Sequence, residues 1–282
     1  MSDDRQNNRL PRNFHRTFKP ERQYIAAMLR FAASGKEGDH QAIASATGIP
    51  TGSSSGKAPA ILDYCRGMGL IRLLGEDRSA VKRPELTPFG RVVLLEDPYL
   101  KVNVTQWLAH IALCSSTSGA DAWYQTFFAG THCLGMSFSR AALETHLSAV
   151  YGVDRAGLIG PLVGMYEDDA AFRTCGALSE LSGNISRKPA PLDDMFGNAY
   201  GAWIISLICE QFPRNRQVTT TELDSRAGWR TIPGWDLGTH QRVLELIERK
   251  GILDVDRHMD PWLLQPKLAP EAAWKRIYDD LL

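Results

Sequence analysis

Gly52-Ser53-Ser54-Ser55-Gly56-Lys57-Ala58 is the stretch that comes nearest to a known chemistry. Glycines, small hydroxyls and a lysine cradle nucleotide phosphates in NTPases. That pattern needs four residues between the glycines, and a Ser or Thr after the lysine to hold magnesium. Here three residues separate the glycines, Ala58 follows Lys57, and the stretch follows a helical pattern and not a strand. Nucleotide hydrolysis is therefore rejected. The same residues suit a smaller task. Free N–H groups at a helix start, beside a hydroxyl and a lysine, seat one phosphate of a DNA backbone. Capping of that helix by Ser54 or Ser55 is the plain structural use of the serines.

Nothing else assembles a reaction from local sequence. His132-Cys133 has no partner at zinc-ligand spacing. Glu167-Asp168-Asp169 are adjacent on a helical pattern, so their carboxylates diverge and read as a solvated face. His258 and Asp260 fall near a hairpin tip. No Ser/His/Asp or Cys/His set can be built. The expectation is a protein that is not an enzyme, with no cofactor and no metal.

The helix that Lys57 opens belongs to a longer pattern over residues 24–95. Tyr24, Ile25, Met28, Leu29 and Phe31 recur at helical spacing. Asp39 is placed to cap a second helix with Ile43 and Ala44, and Gly48, Pro50 and Gly52 stop it. A third helix carries Ile61, Leu62, Cys65 and Met68 on one face and ends at Gly67 and Gly69. Residues 70–74 read as a strand. A polar loop with Gly75, Asp77, Arg78 and Ser79 follows, and Leu86 precedes Thr87-Pro88-Phe89-Gly90. Three helices and a hairpin in that order make a winged helix, which places its third helix in a DNA major groove. Ser55, Lys57 and Arg66 are then the outward positions of that helix. Arg78, Lys82 and Arg83 lie in the wing, which crosses a phosphate strand or reaches the minor groove.

Residues 1–23 read as a basic arm, with Arg5, Arg9, Arg12, Arg16, Lys19 and Arg22 set among Asn, Gln and Pro; Phe14 and Phe18 pin its second half. Arg12 and Arg16 are its DNA contacts. The first winged helix spans 24–96. A helical middle domain, 97–185, has Val104, Trp107, Leu108 and Ile111 on one helix. Its aromatics Trp123, Tyr124, Phe127 and Phe128 read as core, because no basic residue interleaves them. Residues 138–151 read as a further helix, and helical spacing continues from Leu158 to Leu181. Ser186-Arg187-Lys188-Pro189-Ala190-Pro191 opens a linker over 186–198. The opening pattern then returns in 199–282: GMGLIRLL and ELTPFG are matched by RKGILDV and PKLAPEAAW, an internal repeat. The expected fold class is mostly α, with two winged-helix units flanking the helical middle region.

The 32 Lys and Arg balance the 32 Asp and Glu, but unevenly along the chain. Residues 1–91 hold 15 basic against 9 acidic side chains, and residues 92–197 hold 6 against 11. A basic module beside an acidic one is an electrostatic footprint for DNA. The second winged helix is close to neutral and rich in tryptophan, which suits a protein partner. The five cysteines are scattered in apolar helical contexts and read as reduced core thiols of a cytoplasmic protein. No apolar run reaches membrane-spanning length, and the polar N-terminus has no signal-peptide pattern.

LTPFG, the DPYL turn, QWLAHIAL, AWYQTFF, YEDDAAFRT and PLDDMF, in that order and spacing, resemble the DUF4007 family of bacteria and archaea. The resemblance covers roughly residues 14 to 280. At its N-terminal edge Phe14-His15-Arg16-Thr17-Phe18 replaces the family's usual aromatic, glycine and histidine opening. The family carries no assigned activity, so no residue role is taken over. The resemblance implies a setting beside sulfotransfer enzymes of the phosphoadenosine-phosphosulfate reductase type, in DNA phosphorothioate modification and phage defence. The function expected is a non-catalytic double-stranded DNA-binding component of such a system, with protein partners on the second winged helix. The alternatives are a protein-interaction scaffold of the same complex and a transcriptional regulator of its operon.

Overall fold

Local signals set the first elements. The structure is a computed structural model and describes residues 8–52, 56–75, 79–152 and 156–281. Helix α1 (Arg22–Ala33) buries Ile25, Met28, Leu29 and Phe31 along one stripe. Asp39 caps α2 (His40–Thr47), its carboxylate accepting from the N–H groups of Gln41 and Ala42, and Gly48 ends α2 in the left-handed conformation. Helix α3 (Lys57–Gly67) starts at Gly56 with no side-chain cap. The expected cap by Ser54 or Ser55 falls on residues 53–55, which lie outside the described residues. The chain leaves α3 through Gly69, whose φ of +68° disfavours any larger residue. Strands β1 (Ile71–Leu74) and β2 (Arg83–Leu86) pair antiparallel, with Ile71 opposite Leu86. Thr87 then caps α4 (Pro88–Glu96), with Pro88 at its first position.

The middle region departs from an all-helical expectation. Helix α5 (Asn103–Leu113) is buried along almost its whole length. Helix α6 (Asp121–Tyr124) runs through a π-helical turn, Gln125–Ala129, into α7 (Thr131–Leu134). Trp123 and Phe127 are core, as expected. Strand β3 (Ser137–Ser139) takes Phe138 out of the expected helix, which starts later as α8 (Arg140–Tyr151). Helix α9 (Ala156–Gly164) stops well before Leu181. Strands β4 (Leu178–Leu181) and β5 (Asn184–Arg187) close a sheet in the order β3-β5-β4. Ser186 and Arg187 therefore belong to a central strand and not to a linker, and Arg187 is buried.

The chain divides into two compact units, Met1–Lys188 and Pro189–Leu282. The second is built on α10 (Gly197–Gln211), preceded by a 3-10 turn, Asp194–Phe196. Strand β6 (Val218–Thr219) leads into α11 (Thr220–Ala227), which a Thr219–Glu222 capping box starts. Trp229 and Trp235 fill the turn before α12 (Leu237–Arg249). Gly251 then turns with φ +69°, as Gly69 does after α3. Strands β7 (Leu253–Asp256) and β8 (Leu263–Pro266) form a hairpin, with β6 on the far edge of β8. Helix α13 (Pro270–Trp274) begins on a proline, like α4, and a 3-10 turn, Asp279–Leu281, follows. The fold is thus mostly helical with small antiparallel sheets. Cys65, Cys114 and Cys175 are buried, whereas Cys133 and Cys209 are exposed, so not every cysteine is a core thiol. Among the described residues no helix is long and apolar enough to cross a membrane.

Candidate nucleic-acid interface

Helix α3 is a core helix. Ala58, Ala60, Ile61, Leu62, Tyr64, Cys65 and Gly67 are all buried. Helices α1, α2 and α5 pack against it, and residues 8–20 close over a further side. The ring of Phe14 meets that of Tyr64 edge-on at 4.8 Å, and the Tyr64 hydroxyl donates to the Phe18 carbonyl at 3.1 Å. Gly67 is where Leu10 and Leu113 approach: a Cβ there would come within 2.8 Å of both. No described residue of α3 is fully exposed; Lys57, Pro59, Asp63 and Arg66 reach the surface in part. A helix wrapped this way offers a major groove only that partly exposed stripe, which argues against the expected insertion of α3. Lys57 turns inward, its ammonium 2.5 Å from a Glu21 carboxylate oxygen and 4.7 Å from the centre of the Tyr24 ring. The lysine satisfies a carboxylate of its own unit and does not stand ready for a phosphate. Ser55 lies outside the described residues.

The described part of the basic arm is likewise part of the unit. Leu10 bridges to Ala120 through backbone hydrogen bonds with Gly119 and Asp121. Arg9 pairs with Asp121 at 2.9 Å, and Lys19 pairs with Asp168. His15 is fully buried, and that burial drops its pKa to about 4. The basic first segment and the acidic middle therefore neutralise one another in part inside one unit. The charge gradient read from the sequence is to that extent a packing device and not a footprint. Arg12 lies over the Tyr151 ring, 5.1 Å from its centre.

Three predicted residues do converge. Arg16, Arg66 and Lys82 lie within electrostatic reach of His40 or Asp63. Arg66 holds Asp63 at 3.2 Å, one turn apart on α3. Lys82 is fixed by a two-way backbone bridge with Gly38, at 2.8 and 3.1 Å, which ties the hairpin to the α1–α2 turn. His40 opens α2. Partial burial lowers its pKa, aided by Lys82 and Arg16 and opposed by Asp63 and Asp39. Burial raises that of Asp63, against the pull of Arg66, His40 and Lys82. Arg66 is thus taken up by Asp63, while Arg16 and Lys82 lie within electrostatic reach of His40 beside that pair. Arg83, next along the strand, points to the other side of the bridge, where Glu37 is 3.9 Å away. Arg78 lies outside the described residues.

Sequence reasoning did not find the nearest approach to a nucleophile–base pair. His110 of α5 and Cys114, the residue that caps that helix's C-terminus, come within 3.7 Å. Trp123 Nε1 donates to the Tyr166 hydroxyl at 3.0 Å, which leaves the tyrosine proton for His110 Nδ1 at 2.7 Å. Burial, helped by Arg187, pulls the His110 pKa down to about 3, and burial pushes the Cys114 thiol well up. Both groups are therefore neutral and sealed from solvent, so the pair cannot form the thiolate and imidazolium that nucleophilic catalysis needs. The i,i+4 spacing was visible in the sequence; the depth of α5 was not.

In the second unit α12 buries His240, Val243, Leu244, Leu246 and Ile247 and leaves its other side in water. That side carries Leu237, 66% exposed, with Arg242, Glu245 and Arg249. Arg249 reaches Asp194 at 3.2 Å. Its charge is balanced.

No protein-family profile and no curated protein matches the chain. Two solved structures share its fold. The magnesium-ion-bound SspB crystal structure is 16% identical, with a TM-score of 0.69 over 95% of this chain and 88% of that one. A second SspB crystal structure is 17% identical, with a TM-score of 0.67 over the same shares. Among the described residues no three His, Cys, Asp or Glu side chains gather as a metal-binding group.

Proposed function

We propose that the chain is a double-stranded DNA-binding component, without catalysis of its own, of a bacterial DNA sulfur-modification or phage-defence system. The observation that carries the reading is that Arg16 and Lys82 lie within electrostatic reach of His40, beside the Arg66–Asp63 pair. With Lys82 tied to the α1–α2 turn by its backbone bridge to Gly38, these two cations offer positive charge to a phosphate backbone. The two hairpin-bearing units are read as winged helices, the first touching DNA through the α1–α2 turn and the base of its wing and not through its third helix. The DUF4007 resemblance supplies the setting beside sulfotransfer enzymes.

One observation favours a second reading, a protein-interaction scaffold of the same complex. The outward side of α12 sets Glu245 and Asp194 against Arg242 and Arg249, a balance of charge that suits a protein surface better than a phosphate strand.

Purification of the tagged chain from its bacterial host, with sequencing of bound DNA and mass spectrometry of bound proteins, tests both. The DNA reading expects nuclease-sensitive duplex DNA to co-purify with sulfotransfer enzymes. Partner proteins that persist with no DNA in any preparation would replace it with the scaffold.

A further inference from the structure

The Gly38–Lys82 bridge is a divide. Successive side chains of a strand point to opposite faces, so Lys82 faces the cluster of His40 and Asp63 while Arg83 faces away from it. On the Arg83 side lies an open groove of about 600 Å³, within the size range of small-molecule sites. Its floor is Phe31 with Ala42 and Ala46 of α2, and its rim carries Lys36, Glu37 and Arg83. The alanines are exposed, and their small side chains let a flat ring come close to the helix. Lys36 is exposed and has no ion pair among the described residues. Arg83 is 61% exposed and meets Glu37 at only 3.9 Å. The rim therefore holds two cations against one carboxylate, above an apolar floor.

We propose that this groove takes one unpaired nucleotide of a nucleic-acid strand, its base against Ala42 and Ala46 and its phosphate between Lys36 and Arg83. The inference deepens the DNA reading above. The base supplies the flat apolar area that the floor lacks, and the phosphodiester supplies the anion that the rim lacks. A paired base is stacked on both faces and cannot reach the floor; a bulged, extruded or single-stranded one can. The strand that meets Lys82 on one side of the bridge needs only to cross it to put its next nucleotide in the groove.

Two measurements judge this separately from duplex binding. In the first, deoxyadenosine monophosphate is titrated into the labelled full chain and followed by NMR. Amide shifts are expected at Ala42, Ala46 and Arg83, and are expected to vanish in Ala46→Trp, which fills the floor, and in Lys36→Ala/Arg83→Ala. Ala46 is exposed, so its replacement is a surface change that leaves stability nearly untouched, and circular dichroism checks that it folds. No shift at these residues, or shifts that survive Ala46→Trp, overturns the proposal whether or not duplex DNA binds. In the second, anisotropy compares a fully paired duplex with one carrying a single-base bulge. The bulged duplex is expected to bind about threefold tighter, below the range for a base stacked on an aromatic ring because the floor presents alanines. Ala46→Trp is expected to abolish the preference and leave the affinity for the paired duplex unchanged. Equal affinity of the wild type for both duplexes overturns it. Failure to bind either duplex, with the mononucleotide shifts intact, sinks the DNA reading and leaves the groove standing.

Discussion

Helices α3 and α12 hold the same place in their units and meet different fates. Each follows two helices, and each runs through a left-handed glycine, Gly69 or Gly251, into a hairpin. Each turn is closed alike. Gly69 donates to Arg66 and Gly251 to Glu248, both at 2.9 Å, while Leu70 and Ile252 reach back to Cys65 and Ile247. Only their surroundings differ. Residues 8–20 and α5 cover α3 until four side chains reach water in part, whereas α12 keeps a whole polar side. The same local chemistry thus yields a core strut in one unit and a presenting surface in the other. What a third helix does is decided by what packs on it.

The sharpest way to break that contrast is to remove a buried ring. Tyr64→Ala is expected to destabilise the first unit by about 3–5 kcal/mol, the range for losing a large aromatic from a core. Arg242→Ala on the outer side of α12 is expected to cost no more than ~0.5 kcal/mol. Urea unfolding measures both, and similar small losses would mean that α3 is not the core helix described.

Acid is the next probe. His15 is neutral in the folded unit because burial holds its pKa near 4, below the 6.5 of the unfolded chain. A depressed histidine pKa means that the unfolded state binds the proton first. Its full contribution is present above pH 6.5 and is lost as pH falls toward 4, by up to ~3 kcal/mol at 1.36 kcal/mol per unit. Unfolding curves at pH 7 and pH 4.5 for wild type and His15→Gln measure it. An unchanged pH dependence in the variant would place the titration elsewhere.

Lys57 gives the smallest effect. Its partner is Glu21, so Lys57→Ala is expected to cost about 1 kcal/mol of stability and to leave DNA affinity where it was. A tenfold loss of affinity in anisotropy would return Lys57 to the phosphates.

What was legible in the sequence was what is local. Asp39, Gly69 and Gly251, the β1–β2 and β7–β8 hairpins, and the prolines that start α4 and α13 all declare themselves within a few residues, whereas the equally local β4–β5 hairpin was hidden by helical spacing that runs on to Leu181. The β3–β5 pairing joins Phe138 to Ile185 and depends on chain folding that no window reveals. The site suffered for the same reason. Lys57 looked free because Glu21 lies far up the chain, and Arg9 and Lys19 looked like an arm because Asp121 and Asp168 are distant in sequence. Arg16, Arg66 and Lys82 were legible as basic residues but not as a cluster, since His40 and Asp63 bring them together only in three dimensions.

The central claim is that the first unit meets DNA through the cations on its hairpin side while the outward side of α12 does not. Fluorescence anisotropy of a labelled duplex across a salt series, for wild type, Arg16→Ala/Lys82→Ala and Arg242→Ala/Arg249→Ala, tests it most directly. If Arg16 and Lys82 each neutralise one phosphate, the first variant flattens the log–log salt slope by about 1.8. It then weakens binding alike on all sequences, and the second variant keeps the wild-type slope. An unchanged slope in the first variant with a flattened one in the second would contradict the account and give DNA to α12.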